Sequence, residues 1–189
     1  MKNSALFHWY KREKRLLFGL SVCIIAALVV VLYQALEREM ARAEEAMFRT
    51  VVAELNAMLV YKTAEKVAQD KRQQIKNFVN HNPMEWMDSA PVNYIGVQDD
   101  FTQVAVGRWF FSQTEGVIAY RVSHTDMFEL DSIEAPGREG AKYVRFRVVL
   151  DYVDSNNNQE FDELEERIIG LRLQPLDYYK WTAIEGKGR

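Results

Sequence analysis

Leu16 to Tyr33, LLFGLSVCIIAALVVVLY, is an unbroken apolar run without a charged residue. As a helix it covers about 27 Å, close to the roughly 30 Å of a bilayer's hydrocarbon layer. In lipid only a helix satisfies every backbone group of a single crossing segment, so residues 16–33 are read as one transmembrane helix. Lys2, Lys11, Arg12, Lys14 and Arg15 precede it against the single Glu13, whereas the mixed and net acidic QALEREMARAEE follows. The positive-inside rule therefore keeps residues 1–15, the basic tail, in the cytoplasm. Trp9, Tyr10 and Tyr33 fall near the two interfaces, where amphipathic rings settle. A cleaved secretory signal begins with a similar basic region. Its apolar core is shorter, however, and Tyr33 stands where a cleavage site wants a small residue.

Five of the 24 Lys and Arg and one of the 27 Asp and Glu precede Tyr33, so the part beyond it carries a formal charge of −7. That sign disfavours nucleic acid as a partner. The one cysteine, Cys23, lies inside the apolar run, so no disulfide forms within the outer part. A conventional core, with or without a metal, must hold that part together. Its length suits one domain.

Residues 34–82 contain neither Gly nor Pro and are rich in Ala, Glu, Lys, Gln, Met and Leu, which predicts a long amphipathic helix continuing the span to the stop signal Asn80-His81-Asn82-Pro83. Apolar residues recur at Leu36, Met40, Ala43, Met47, Val51, Leu55 and Met58, with a second row at Phe48, Val52, Leu55 and Leu59. Such a stripe either packs on the protein's own sheet or forms a coiled-coil seam with a partner helix. Leu36, Met40, Met47 and Leu55 are the candidate homodimer contacts.

From residue 83 the pattern becomes β-rich. An irregular aromatic connection, PMEWMDSAP, leads into strand-like residues from Asn93 to Val97. VAVGRWFF and VIAYRV, separated by SQTEG, predict a hairpin. Alternating KYVRFRVVLDYVD predicts a long strand, RIIGLRLQ another, MFEL a short strand within a loop, and LDYYKW a last edge segment. The expected class is α+β: a transmembrane helix continuing into a long helix, then a small, mostly antiparallel β domain over residues 83–189.

The most specific local motif is the loop Asp154-Ser-Asn-Asn-Asn-Gln-Glu-Phe-Asp-Glu-Leu-Glu165. Asp154, Asn156, Asn158, Asp162 and Glu165 occupy positions 1, 3, 5, 9 and 12 of a twelve-residue loop, with the Glu160 carbonyl at position 7, which resembles an EF-hand calcium loop. Calcium wants six or more hard oxygens, and alternate side chains on a turning backbone supply them. Gln159 stands at position 6, where EF-hands use Gly, so Asn157 to Gln159 must absorb the sharp turn. The flanks read as strands and not helices. An acidic solvated hairpin loop has the same composition.

Nothing comparable points to catalysis. His8, His81 and His124 are dispersed, and no phosphate-binding Gly-rich loop, Cys/His metal set or nucleophile elbow occurs. A non-enzymatic role is expected. A sensor would instead need a concave pocket, for which Trp86, Trp109 and Tyr120 are candidates.

The basic tail, the apolar span running on as a helix, and a β-rich domain containing GRWFFSQTEGVIAYRV together resemble type IV pilins and their accessory proteins, most closely the biogenesis accessory proteins of the mannose-sensitive haemagglutinin (MSHA) pilus. The prepilin processing signature is absent: Gly19 lies inside the apolar run and Ile24 stands where a Glu belongs. The resemblance implies a single-pass protein of a bacterial inner membrane, with a periplasmic C-terminal domain, acting as scaffold or docking module with pilus-assembly membrane proteins or pilins. A minor, unprocessed pilin-like subunit is the neighbouring alternative. The calcium loop stands apart from the resemblance and rests on its spacing.

Overall fold

The computed structural model describes residues 3–131, 140–164 and 166–182, with side chains from Leu17 onward. Helix α1 runs Asn3–Ala68. The chain divides into two units, Met1–Met40 and Ala41–Arg189. The first is helical, and its apolar window is long enough to cross a membrane, with none of that window buried in protein. The second is α+β, as the sequence pattern requires.

Within the second unit α1 buries Ala41, Glu44, Glu45, Phe48, Val51, Leu55 and Leu59, a face generated by steps of three and four. The row at Phe48, Val52, Leu55 and Leu59 thus supplies the domain core. Met47 stays exposed, whereas Leu55 has no exposed surface and is unavailable as a dimer contact. In the first unit Leu36 and Met40 are exposed.

The helix ends fourteen residues short of the expected Asn82. Asp70 adopts a left-handed conformation (φ 55°), its N–H donates to Val67 O at 3.1 Å, and Lys71 N–H donates to Lys66 O at 2.8 Å. That is a Schellman stop with Asp where Gly is usual, which is why composition concealed it. A 3₁₀ turn, Arg72–Phe78, follows and delivers fully buried Ile75 to the core.

Five strands form the main sheet in the order β1-β2-β3-β5-β6: β1 Tyr94–Val97, β2 Arg108–Ser112, β3 Val117–Arg121, β5 Tyr143–Val153 and β6 Arg167–Pro175. β4 Phe128–Asp131 and β7 Tyr178–Trp181 pair separately. The hairpin β2–β3 is antiparallel, with Trp109 opposite Tyr120. The strand expected from Val104 begins only at Arg108, because Phe101–Gln103 is a 3₁₀ turn capped by Asp100 and Gly107 turns the chain at φ 72°. β1 pairs with β2 in parallel, an exception to the otherwise antiparallel arrangement.

Both faces of the central strands are covered, which explains the continuous apolar runs WFF and VIAY. One face, with Trp109, Phe111, Ile118, Tyr120, Phe146 and Val148, meets α1. The other, with Phe110, Val117, Ala119 and Tyr143, is covered by Phe101 and Val104. Phe48 joins the layers: it stacks on Trp109 at 5.3 Å and 14°, meets Tyr179 edge-on at 5.5 Å, and lies 5.4, 5.6 and 6.1 Å from Tyr120, Trp181 and Phe146. At the far end of α1, Thr63 Oγ1 accepts from Leu171 N–H at 3.2 Å. A Cβ on Gly170 would stand 3.1 Å from the Thr63 methyl, so helix and strand approach closely only because Gly is there.

Phe48→Ala removes the ring shared by both sheets and costs about 3–5 kcal/mol. Thermal unfolding of the full chain in detergent should show a midpoint lower by roughly 10 °C. A drop as small as that of a surface substitution would contradict the role given to Phe48.

Candidate functional site

The loop 154–165 joins β5 to β6, where the two long strands leave an acidic turn at one end of the sheet. Its side chains organise its own backbone. Asp154 Oδ2 accepts from Gln159 N–H at 3.1 Å, Asn156 Oδ1 from Asn158 N–H at 3.0 Å, Asn158 Oδ1 from Glu160 N–H at 2.8 Å, and Asp162 Oδ1 from Leu164 N–H at 2.9 Å. Asn157 (φ 57°) and Gln159 (φ 62°) both take the left-handed conformation, so the turn expected to need Gly at position 6 is made by a non-glycine pair.

Glu166, one residue beyond the twelve, closes the loop. Its carboxylate accepts from Ser155 N–H and Asp162 N–H, both at 3.0 Å, and is buried. Sequence spacing drew attention to Glu165, which lies outside the described residues, and missed Glu166. Phe161, the apolar position of the motif, packs edge-on against Tyr152 at 5.4 Å. Asp154 Oδ1 is shielded from solvent and accepts no hydrogen bond among the described residues. Of the expected ligands, Asp154, Asn156, Asn158, Glu160 and Asp162 share this loop. Among the described residues, however, no three His, Cys, Asp or Glu side chains converge as a metal set.

A second polar centre was not foreseen. Glu44, buried on α1, accepts from Tyr120 Oη at 2.8 Å, Ser123 N–H at 2.7 Å and His124 N–H at 3.0 Å, and from the His124 ring at Nδ1. Burial pushes its carboxyl up, but the Ser123 N–H, the His124 ring and the Tyr120 hydroxyl outweigh it and hold the group below the ordinary glutamate value. Burial, then the Glu44 charge, raises the Tyr120 hydroxyl. Both oxygens of Glu44 are committed, so the group latches helix to sheet. The only sequence signal was an acid on the apolar helical face.

The sensor alternative would need a pocket at Trp86, Trp109 and Tyr120. Trp109 and Tyr120 are spent in the core, and Trp86 packs edge-on against Phe78 at 5.1 Å. A groove of about 330 Å³ lies nearby, lined by Asn80, His81, Asn82, Glu85, Val97, Phe111 and Gln113. His81 Nδ1 is 3.1 Å from Val79 O, and Asn82 Nδ2 donates to Tyr94 Oη at 2.9 Å and Glu85 Oε1 at 3.1 Å.

No family model, curated protein or solved structure matches the chain.

Because the folded carboxyl of Glu44 titrates below the unfolded one, its stabilisation is present above the ordinary glutamate range and disappears as pH falls through the folded value. Glu44→Gln should lower stability at neutral pH by about 1–3 kcal/mol and flatten the acid side of the profile of melting temperature against pH. An unchanged acid limb would show that other carboxylates carry it.

Proposed function

We propose that this chain is a single-pass inner-membrane protein, its N-terminus cytoplasmic, whose periplasmic β domain acts without catalysis as a scaffold or docking module in assembly of an MSHA-like type IV pilus. The observation that carries the reading is α1 itself. One helix contains both a membrane-length apolar stretch and the Phe48, Leu55 and Leu59 side chains of the domain core. The basic residues before the apolar stretch support the orientation. His124 is held by Glu44, and the His81 ring lies at hydrogen-bonding distance from a backbone carbonyl, which favours structural roles for both.

Deleting the protein should reduce surface pili while leaving pilin synthesis intact, with the protein itself found in inner-membrane fractions. Recovery in sheared pili would make it a fibre subunit instead. Unaltered piliation would remove the assembly role.

Separately from the pilus reading, and on the spacing of the loop alone, we propose that residues 154–165 hold a calcium ion through Asp154, Asn156, Asn158, Asp162, the Glu160 carbonyl and Glu165. The shielded Asp154 Oδ1 and the hard-oxygen donors fit such a cation. Bound calcium supplies charge neutralisation and ties the β5–β6 turn. At a dissociation constant of about 1 mM, 10 mM calcium stabilises by about 1.4 kcal/mol. The full chain's melting temperature should then rise by roughly 3–6 °C. Asp154→Ala should abolish the rise, and Gln159→Gly should enlarge it. Equal shifts in wild type and Asp154→Ala would assign the effect elsewhere.

A further inference from the structure

Phe48 defines the buried face of α1, and the face opposite carries its own repeat within the second unit. Ala43, Met47, Thr50, Glu54, Ala57 and Tyr61 are all exposed, Met47 and Tyr61 at 61% each. Their spacing alternates four and three residues, the heptad spacing of a coiled-coil seam, with Met47, Glu54 and Tyr61 in one register and Ala43, Thr50 and Ala57 in the other. Small residues in the second register allow close approach of another backbone. Leu55, which blurs this repeat in the sequence, is turned into the sheet core.

Charge selects the occupant. Glu54 sits at the middle of the row, and the residues three and four positions away, Thr50, Val51, Ala57 and Met58, include no base. Arg49 and Lys62, the bases next to the row in sequence, are turned away from it and engaged along α1, with Glu45 at 2.7 Å and Glu65 at 3.1 Å. A second copy aligned in parallel would set Glu54 against Glu54 in the seam, which is repulsive. A helix with Lys or Arg at that level would pair with it.

We propose that the Ala43–Tyr61 face seats a parallel helix of a different chain, one carrying a basic residue opposite Glu54. The parallel sense rests on the membrane-anchored reading above and on a partner anchored, like this chain, by a span N-terminal to the helix.

A Glu54→Lys copy of this chain supplies the probe, because it offers the same face with the opposite charge. Both full-length forms would carry Cys23→Ala and Ala57→Cys, be placed together in mixed micelles and oxidised, with tags of different size reporting mixed and like pairs. Mixed crosslinks should exceed like pairs by roughly fivefold, fall when salt is raised, and vanish when the cysteine is moved to Asn56, off the row. Wild-type pairs as abundant as mixed pairs would overturn the proposal in favour of a second copy. No crosslinks in any mixture would show that the face does not seat a helix. Unchanged melting temperatures of the variants confirm that each is folded. The measurement uses purified protein, so its outcome is separate from whether deletion affects pili.

Discussion

The β domain depends on one aromatic ring delivered by a helix. Phe48 touches Trp109, Tyr120 and Phe146 of the main sheet and Tyr179 and Trp181 of the small one. The two-stranded sheet carries Phe128, Leu130, Tyr179 and Trp181, but its strands are only four residues long, and a lone pair of short strands is marginal in water without a further layer to pack on. Phe128 against Trp181 at 4.8 Å, closed over by Phe48, is what gives β4 and β7 a core to join. The stacked and edge-on arrangements add directionality to area burial, fixing helix rotation as well as depth.

That rotation is reinforced by polar contacts at two levels of α1. Glu44 accepts from the β3 tyrosine and the backbone beyond it, and Thr63 from β6. A buried carboxylate is tolerable only because its donors are already in place, and turning the helix by one residue would leave it unpaired. The polar latches therefore set register, whereas the aromatic cluster supplies most of the burial. With the inward face fixed, the Met47 and Tyr61 face is necessarily left outward.

The β5–β6 turn follows different physics. Its Asp and Asn side chains substitute for a ladder that the backbone cannot continue, and Glu166 ties both ends of the turn from within. Left-handed Asn157 and Gln159 are sustained by these bonds. The proposed calcium site and a solvated acidic turn rest on the same oxygen-bearing side chains, which is why those residues serve two readings.

The amino-acid sequence by itself determined the apolar span, the helical stripe, the hairpin and both long strands, because each depends on local periodicity that needs no partner. It also marked the loop residues Asp154, Asn156, Asn158, Glu160 and Asp162 through their spacing. Only tertiary structure decided which interleaved helical row is buried, since Leu55 and Met47 are similar in hydrophobicity and differ in what faces them. The helix end at Ala68 was equally hidden: Asp70 adopts a glycine-like conformation where stopping lets Ile75 reach the core. Glu44 and Glu166 resembled surface acids because their donors, on Tyr120, Ser123 and His124 for one and on Ser155 and Asp162 for the other, come together only when the chain is folded.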